Sequence, residues 1–169
     1  MARLYKVALL RELINYMNKN IIAFLTMIAV SEGTQRIGSQ QGYDVIVTST
    51  PEKPILFTSY ADHPRRLMHC GRVLTSTAAG RYQILAKYFD AYKKQLKLPD
   101  FSPDSQDKIA LQLISECNAL HLINAGDFVG AVKACKSRWA SFPGSGNNQH
   151  ENKMAMLQSA YVHAGGIVA

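Results

Sequence analysis

Cysteine is scarce in this sequence: Cys70, Cys117 and Cys135 make an odd set with no C-x-x-C spacing. That argues against a disulfide framework and against a thiolate zinc cluster, and the three read as reduced core thiols of a protein made in the cytosol. The five histidines, His63, His69, His121, His150 and His163, form no H-E-x-x-H or other ligand pairing, so no metal and no cofactor are expected. No apolar run is long enough to cross a bilayer, since Ile21 to Val30 is about half of the roughly 20 residues required. The breaker-rich stretch Pro143 to Asn148 lacks the G-x-x-x-x-G-K-[ST] pattern and gives no phosphate cradle. Acidic residues are the minority, 12 against 19 Lys and Arg, for a formal charge of +7. Such a field draws polyanions, whether nucleic acid, anionic lipid or envelope polymer, and charge alone does not choose among them. The basic residues are dispersed apart from pairs such as Arg65-Arg66 and Lys93-Lys94, which also fits a plain solvated surface. Internal repeats and low-complexity tracts are absent.

What is present is the composition of a folded chain: 169 residues, 47% hydrophobic and 18% charged. That length suits one domain with a real core. A single domain is expected over residues 17–169, preceded by an N-terminal extension over residues 1–16, with Met17 as an alternative start. Ile21 to Val30, behind Lys19 and with the small residues Ala29 and Ser31 at its end, mimics a signal-peptide cleavage region. The preferred reading is a buried helix that begins near Asn20 and ends at Gly33, a residue suited to the left-handed C-terminal cap.

After a polar loop from Thr34 to Gly42, the β-rich runs Tyr43 to Val47 and Ile55 to Phe57 predict a small hairpin, broken by Pro51 and Pro54. The chain from Ser59 to Gly71 reads as irregular around Asp62-His63-Pro64. Leu85, Tyr88, Phe89, Tyr92 and Leu96 recur at helical spacing and predict a helix starting near Gly80. Ser102-Pro103 opens a helix to about Cys117, Asp127 opens one through Trp139, and a last helix runs from about Glu151 to Gly165-Gly166. One early helix, a small hairpin and four or five later helices make an α+β fold, mainly helical, with a small β lobe and a cleft between lobes.

Glu32 falls at the end of the first helix, where the helix dipole and apolar neighbours both disfavour a negative charge and raise its pKa. A carboxylic acid still protonated near neutral pH is what glycosidic cleavage requires, because the leaving oxygen takes up a proton as oxocarbenium character develops. A glutamate at a helix end is, on the other hand, commonly a solvated charge. Asp44 and Asp62 are candidates to face it. Asp62 is equally a turn-former beside His63-Pro64, and Asp44 a strand-end residue bonded to local amides. Arg81, Tyr82 and Gln83 after Gly80 offer a guanidinium, a phenol and an amide, groups that suit carbohydrate, although Tyr82 alone would also suit a core.

In order along the chain, several strings resemble the phage lambda-type endolysins, lytic transglycosylases of lysozyme-like fold. They are Ser31-Glu32-Gly33-Thr34, Gly42-Tyr43-Asp44-Val45-Ile46-Val47, Asp62-His63-Pro64-Arg65, Ser76 to Gln83, Asp90-Ala91-Tyr92, Asp100-Phe101-Ser102-Pro103, Ser105-Gln106-Asp107, Trp139-Ala140-Ser141 and Pro143-Gly144. The resemblance runs from about Lys19 to Gly166, and the Ser76 to Gln83 string is its most specific part. It implies a lone catalytic Glu32 that protonates the bond between N-acetylmuramic acid and N-acetylglucosamine. As conjugate base, Glu32 would then help the muramyl C6 hydroxyl close a 1,6-anhydro ring. Tyr43, Asp44, Asp62, Arg81, Tyr82 and Gln83 become substrate-positioning candidates. The loop between Glu32 and Asp44 is shorter than in the family, and aromatic residues of the family's cleft lip are missing after Pro143-Gly144. Polar contacts from Asn147 or Gln149 are expected in their place.

The expected partner is the glycan strand of bacterial peptidoglycan, with electrostatic attraction to the anionic envelope, no specific nucleic acid, and a monomeric state. The expected route is synthesis in the host cytoplasm and holin-type release to the periplasm. A hydrolytic muramidase using a second carboxylate is the nearest alternative. A non-catalytic basic protein that binds envelope polymer or nucleic acid is the distant one. Basic amphipathic segments at residues 1–16 or 151–164 would add membrane activity to the first reading.

Overall fold

The computed structural model describes residues 19–38, 40–71, 74–146 and 150–169. The extension expected over residues 1–16, and the contacts expected of Asn147 and Gln149, lie outside those residues. The described elements are α1 (helical over residues 19–31), β1 (Met68–Cys70), β2 (Leu74–Ser76), α2 (Ala86–Leu96), α3 (Pro103–Glu116), α4 (Leu120–Asn124), α5 (Phe128–Cys135) and α6 (Met154–His163). The fold is mainly helical with one small antiparallel hairpin, in agreement with the sequence.

The chain divides into two compact units, and residues 19–27 with Ile114–Ala169 belong to one of them. Its core is aromatic. Phe24 on α1 is fully buried and meets Phe128, Phe142 and Tyr161 edge-on at 6.3, 6.5 and 6.4 Å between ring centroids. Burying one such ring contributes about 2–3 kcal/mol, and edge-on pairs add roughly 0.5–1.5 kcal/mol each. Asn20, also fully buried, is satisfied at both ends of its amide: it donates to the Ile123 carbonyl at 3.0 Å and accepts from the Ile167 N–H at 2.9 Å. Asp127 caps α5 by accepting from the Gly130 N–H at 2.8 Å, and a β-carbon at Gly130 would collide with that carboxylate.

The second unit is Ile28–Leu113. Here α1 ends on Gly33, whose φ of +74° is the left-handed cap expected at this position. Pro103 is the first residue of α3, behind a turn in which Asp100 accepts from the Ser102 N–H at 2.9 Å and the Ser105 hydroxyl at 3.0 Å. His63 is buried against Phe101 at 4.7 Å and Phe89 at 5.8 Å. The Arg65 N–H donates to its Nδ1 at 3.0 Å, so its proton sits on Nε2 and is donated to the Ile84 carbonyl at 2.9 Å.

Several boundaries differ from the sequence reading. The hairpin is not Tyr43 to Val47 with Ile55 to Phe57 but β1 with β2, in the register Met68↔Ser76, His69↔Thr75, Cys70↔Leu74. The Tyr43 to Val47 run shares its backbone bonds between two neighbours: Ile46 N–H reaches the Ile55 carbonyl while Val47 N–H reaches Ala78. Only single bridges result, Val45↔Leu56 and Ile46↔Ala79. The true hairpin is largely exposed and so carries no apolar alternation to betray it. The α2 helix starts at Ala86 rather than Gly80, since Gly80 and Gln83 hold φ of +78° and +50° in a turn closed by the reciprocal bonds between Ala79 and Ile84. The α5 helix stops at Cys135, short of Trp139. The α6 helix begins at Met154, because Glu151 and Asn152 bond back to the preceding loop. The α4 helix is too short to show a period of its own.

Candidate active site

Glu32 is half-buried on the last turn of α1, with its N–H bonded to the Ile28 carbonyl at 2.9 Å. The turn after Glu32 is fixed tightly. Gly33 reverses the chain, and Thr34, buried, sends its N–H back to the Ala29 carbonyl at 2.9 Å and its hydroxyl to the Arg81 carbonyl at 2.6 Å. Gly42 then lies against Thr34 so closely that a β-carbon there would stand 2.7 Å from the Thr34 oxygen. The Glu32 turn and the Gly80 to Gln83 turn are thereby joined within one unit.

The second turn presents Arg81 and Tyr82, both buried. The Arg81 guanidinium donates to the Gln41 carbonyl and lies 5.1 Å from the Tyr43 ring centroid and 6.0 Å from that of Tyr82. The two tyrosine rings meet edge-on at 6.3 Å, and both hydroxyls donate to Oδ1 of Asp107, at 2.8 Å from Tyr43 and 2.7 Å from Tyr82. Burial, then the hydrogen bond and charge of Asp107, push the Tyr43 phenol up to about 12. Burial and the Asp107 charge push Tyr82 further still. Both phenols therefore stay protonated donors. Gln106, fully buried, accepts from the Arg81 N–H at 2.9 Å and donates to the Tyr43 and Phe101 carbonyls, each at 2.9 Å. A β-carbon on Gly80 would collide with the Gln106 amide oxygen. Gln83, half-buried, folds its amide onto the Gly80 carbonyl at 2.9 Å.

Asp44 is buried, with Gly38 close enough to its carboxylate that a β-carbon there would stand 3.0 Å from Oδ1, and that oxygen has no hydrogen-bond partner among the described residues. Its charge raises the pKa of the neighbouring Tyr60 phenol, after burial. Asp62 belongs to a different, exposed network: it accepts from Arg65 at 3.1 Å and Lys93 at 3.4 Å, while Arg65 also pairs with Asp90 at 2.6 Å. Burial opposes its ionisation, but the bonds from Arg65, the His63 backbone and Lys93 outweigh it and hold the Asp62 carboxyl below the usual range. Thus Tyr43, Arg81 and Tyr82 form one cluster, Glu32 is fastened to it through Thr34, and Asp62 is engaged by cations. Thr34, Gln106 and Asp107 organise the cluster, and sequence reasoning misses them as site residues. The one signal that could have found them is their place in the recognised strings. Among the described residues no group of three or more His, Cys, Asp or Glu is arranged to hold a metal ion.

The sequence profile of the endolysin family matches residues 22–168. The chain belongs to the endolysin family. Relatives of this endolysin include that of Escherichia phage lambda, 50% identical over 150 residues that cover 86% of this chain and 91% of the relative. The endolysin of Escherichia phage P2 is 46% identical over 159 residues, 90% of this chain and 96% of the relative. Among solved structures, bacteriophage lambda lysozyme complexed with a chitohexasaccharide superposes with a TM-score of 0.84 at 47% identity, covering 89% of this chain and 97% of that one. A second structure of lysozyme from bacteriophage lambda gives a TM-score of 0.80 at the same identity and coverage.

Proposed function

We propose that this endolysin breaks the β-1,4 bond between N-acetylmuramic acid and N-acetylglucosamine as a lytic transglycosylase, with Glu32 as its single acid/base. The observation that carries the reading is the fastening of Glu32, through Gly33 and the Thr34 bond to Arg81, to a cluster of buried donors. A preorganised acid loses little on reaching the transition state, where it gives its proton to the leaving oxygen. The resulting carboxylate is then placed to draw the proton from the muramyl C6 hydroxyl, which attacks C1 and closes the anhydro ring. The chitohexasaccharide held by lambda lysozyme is a β-1,4-linked chain of N-acetylglucosamine, one of the two alternating sugars of peptidoglycan, which supports a glycan strand as the ligand.

The fates of the two other carboxylates favour this route over hydrolysis. Asp62 is paired with Arg65 and Lys93, and Asp44 is buried. Neither offers an open carboxylate to activate a water, as an inverting hydrolase requires. Tyr43, Asp44, Arg81, Tyr82 and Gln83 shape and stiffen the wall that receives the sugar. The charge of +7 draws the protein to the anionic envelope, more weakly as salt rises. Delivery is from the host cytoplasm through a holin-type lesion, so expression alone would leave cells intact until the inner membrane is permeabilised.

The test is mass spectrometry of the soluble products from purified peptidoglycan. Muropeptides with 1,6-anhydro ends, lacking the water that hydrolysis adds, are the expected result, and Glu32→Gln should release none. Reducing muramic ends would establish a muramidase instead.

A further inference from the structure

The α2 helix begins at Ala86, just after the Gly80 to Gln83 turn that presents Arg81 and Tyr82, and lies in the same compact unit as Glu32. Its apolar side is in the core, where Phe89 and Tyr92 are buried. Its outer side is basic: Lys87 and Lys94 are exposed, and so is Lys97 just past the last turn. Seven residues separate Lys87 from Lys94, so the two stand on one face about 10 Å apart along the axis. The Lys87 ammonium lies 5.0 Å from the ring centroid of Tyr88, itself exposed.

The acids beside this face are already engaged. Asp90, the one acid of α2, pairs with Arg65 at 2.6 Å, and Asp62 pairs with Arg65 at 3.1 Å and Lys93 at 3.4 Å. Asp100 turns its carboxylate to Ser102 and Ser105. Two cations thus answer two carboxylates, and among the described residues no carboxylate pairs with Lys87, Lys94 or Lys97.

We propose that Lys87, Lys94 and Lys97 form a docking face for the acidic stem peptides of peptidoglycan, beside the site that receives the glycan. The proposal rests on the peptidoglycan reading above and gives that substrate a second surface to meet. The sugars of the strand are uncharged, and its carboxylates lie on the stem peptides, so a cationic face next to the sugar site is complementary to the peptides. A bilayer fits less well, because an interfacial helix needs an apolar side to insert, and α2 buries its own. Each exposed ammonium–carboxylate contact is weak. Several of them acting on a strand already held at the site add up, because the later contacts are intramolecular. The face therefore lengthens residence on peptide-bearing wall, and less so as salt rises.

The experiment sediments the full chain carrying Glu32→Gln, which should bind without cutting, with purified sacculi at low salt. Its partner carries Lys87→Gln, Lys94→Gln and Lys97→Gln in addition. The second probe is the same sacculi with their carboxylates capped as methylamides. On untreated sacculi the lysine variant should bind about fivefold or more weakly, and the gap should narrow at high salt. On capped sacculi it should bind no more weakly than its parent. Equal affinities on untreated sacculi, binding by neither protein, or a gap that survives capping would each overturn the proposal. So would lost binding to phosphatidylglycerol vesicles or duplex DNA with sacculus binding intact, which would give the face to lipid or nucleic acid. If the triple variant does not fold, Lys87→Gln with Lys94→Gln decides by the same comparison. Muropeptide release by the protein with Glu32 intact is read separately. A protein that docks through these lysines yet releases nothing would sink the catalytic reading and leave this one standing.

Discussion

Thr34 donates its hydroxyl to the backbone carbonyl of Arg81 at 2.6 Å, joining the turn after Glu32 to the turn that presents Arg81 and Tyr82. Thr34→Val keeps the shape and removes the donor, stranding a buried carbonyl. The expected cost is about 1–3 kcal/mol of stability, read as a lower urea midpoint at unchanged m. Because the Glu32 turn loses its anchor, muropeptide release should slow by about tenfold or more, as mispositioned acids do. A midpoint and a rate both equal to wild type would remove Thr34 from the positioning of Glu32.

The Tyr43 and Tyr82 phenols share one oxygen of Asp107. Tyr82 is buried and Tyr43 only half so, so Tyr82→Phe should be the more destabilising, by about 1.5–3 kcal/mol for a bond to a charged acceptor. The double variant should cost more than the sum, since either phenol alone still holds the carboxylate and only the double loss removes both donors. Strict additivity in denaturant unfolding would show that the two bonds act independently.

Gly33 and Gly80 separate two effects that are easily confused. Both hold left-handed φ, +74° and +78°, but a β-carbon at Gly33 enters open space while one at Gly80 collides with the buried Gln106 amide. Gly33→Ala should therefore show backbone strain alone, about 1–2 kcal/mol. Gly80→Ala should add the displacement of Gln106 from Arg81, Tyr43 and Phe101, for a total of about 3 kcal/mol or more. Equal midpoints for the two variants would mean that Gln106 yields freely.

The sequence carries the helices that bury an aromatic or aliphatic stripe, because residues such as Phe89 and Tyr92 recur at the helical period and their burial fixes the face. Caps are legible too: Gly33, Pro103 and Asp127 stand where local backbone chemistry demands them. Elements whose reason is non-local are not. The Gly80 to Gln83 turn reads as a helix start because the periodicity of α2 extends toward it, whereas the pairing of Ala79 with Ile84 is invisible in spacing. Glu32 can be named from the ordered strings, but Asp107 and Gln106, far along the chain on α3, gain meaning only once the fold brings Tyr43 and Arg81 to them.

His63 supplies a pH signature of folding. Burial lowers its pKa from the ordinary 6.5, against the opposing bond to the Ile84 carbonyl. Between the folded and unfolded values the unfolded chain binds more protons, so stability falls as pH falls below about 6.5. His63→Phe suits the ring neighbourhood of Phe89 and Phe101 but strands the Ile84 carbonyl, costing about 1–3 kcal/mol at pH 7.5. It also lacks the titration, so its deficit in Tm relative to wild type should shrink between about pH 7.5 and pH 5. A constant deficit would place the acid sensitivity elsewhere.

Glu151 organises the loop that leads to residues 147–149. Its carboxylate accepts from the Gly144 N–H at 2.7 Å, the Gly146 N–H at 2.9 Å and the Ser145 hydroxyl at 3.0 Å. The Gly146 bond first, then those of Gly144 and Ser145, hold its pKa below the usual 4.5. These bonds should persist at about pH 4.5 and be lost only as pH falls through the lowered value, when the carboxyl takes up a proton. Glu151→Ala removes them at every pH, so amide exchange at Gly144 and Gly146 should accelerate while exchange within α5 stays unchanged. If exchange at the two glycines matched wild type, local turn geometry rather than Glu151 would be what holds the loop.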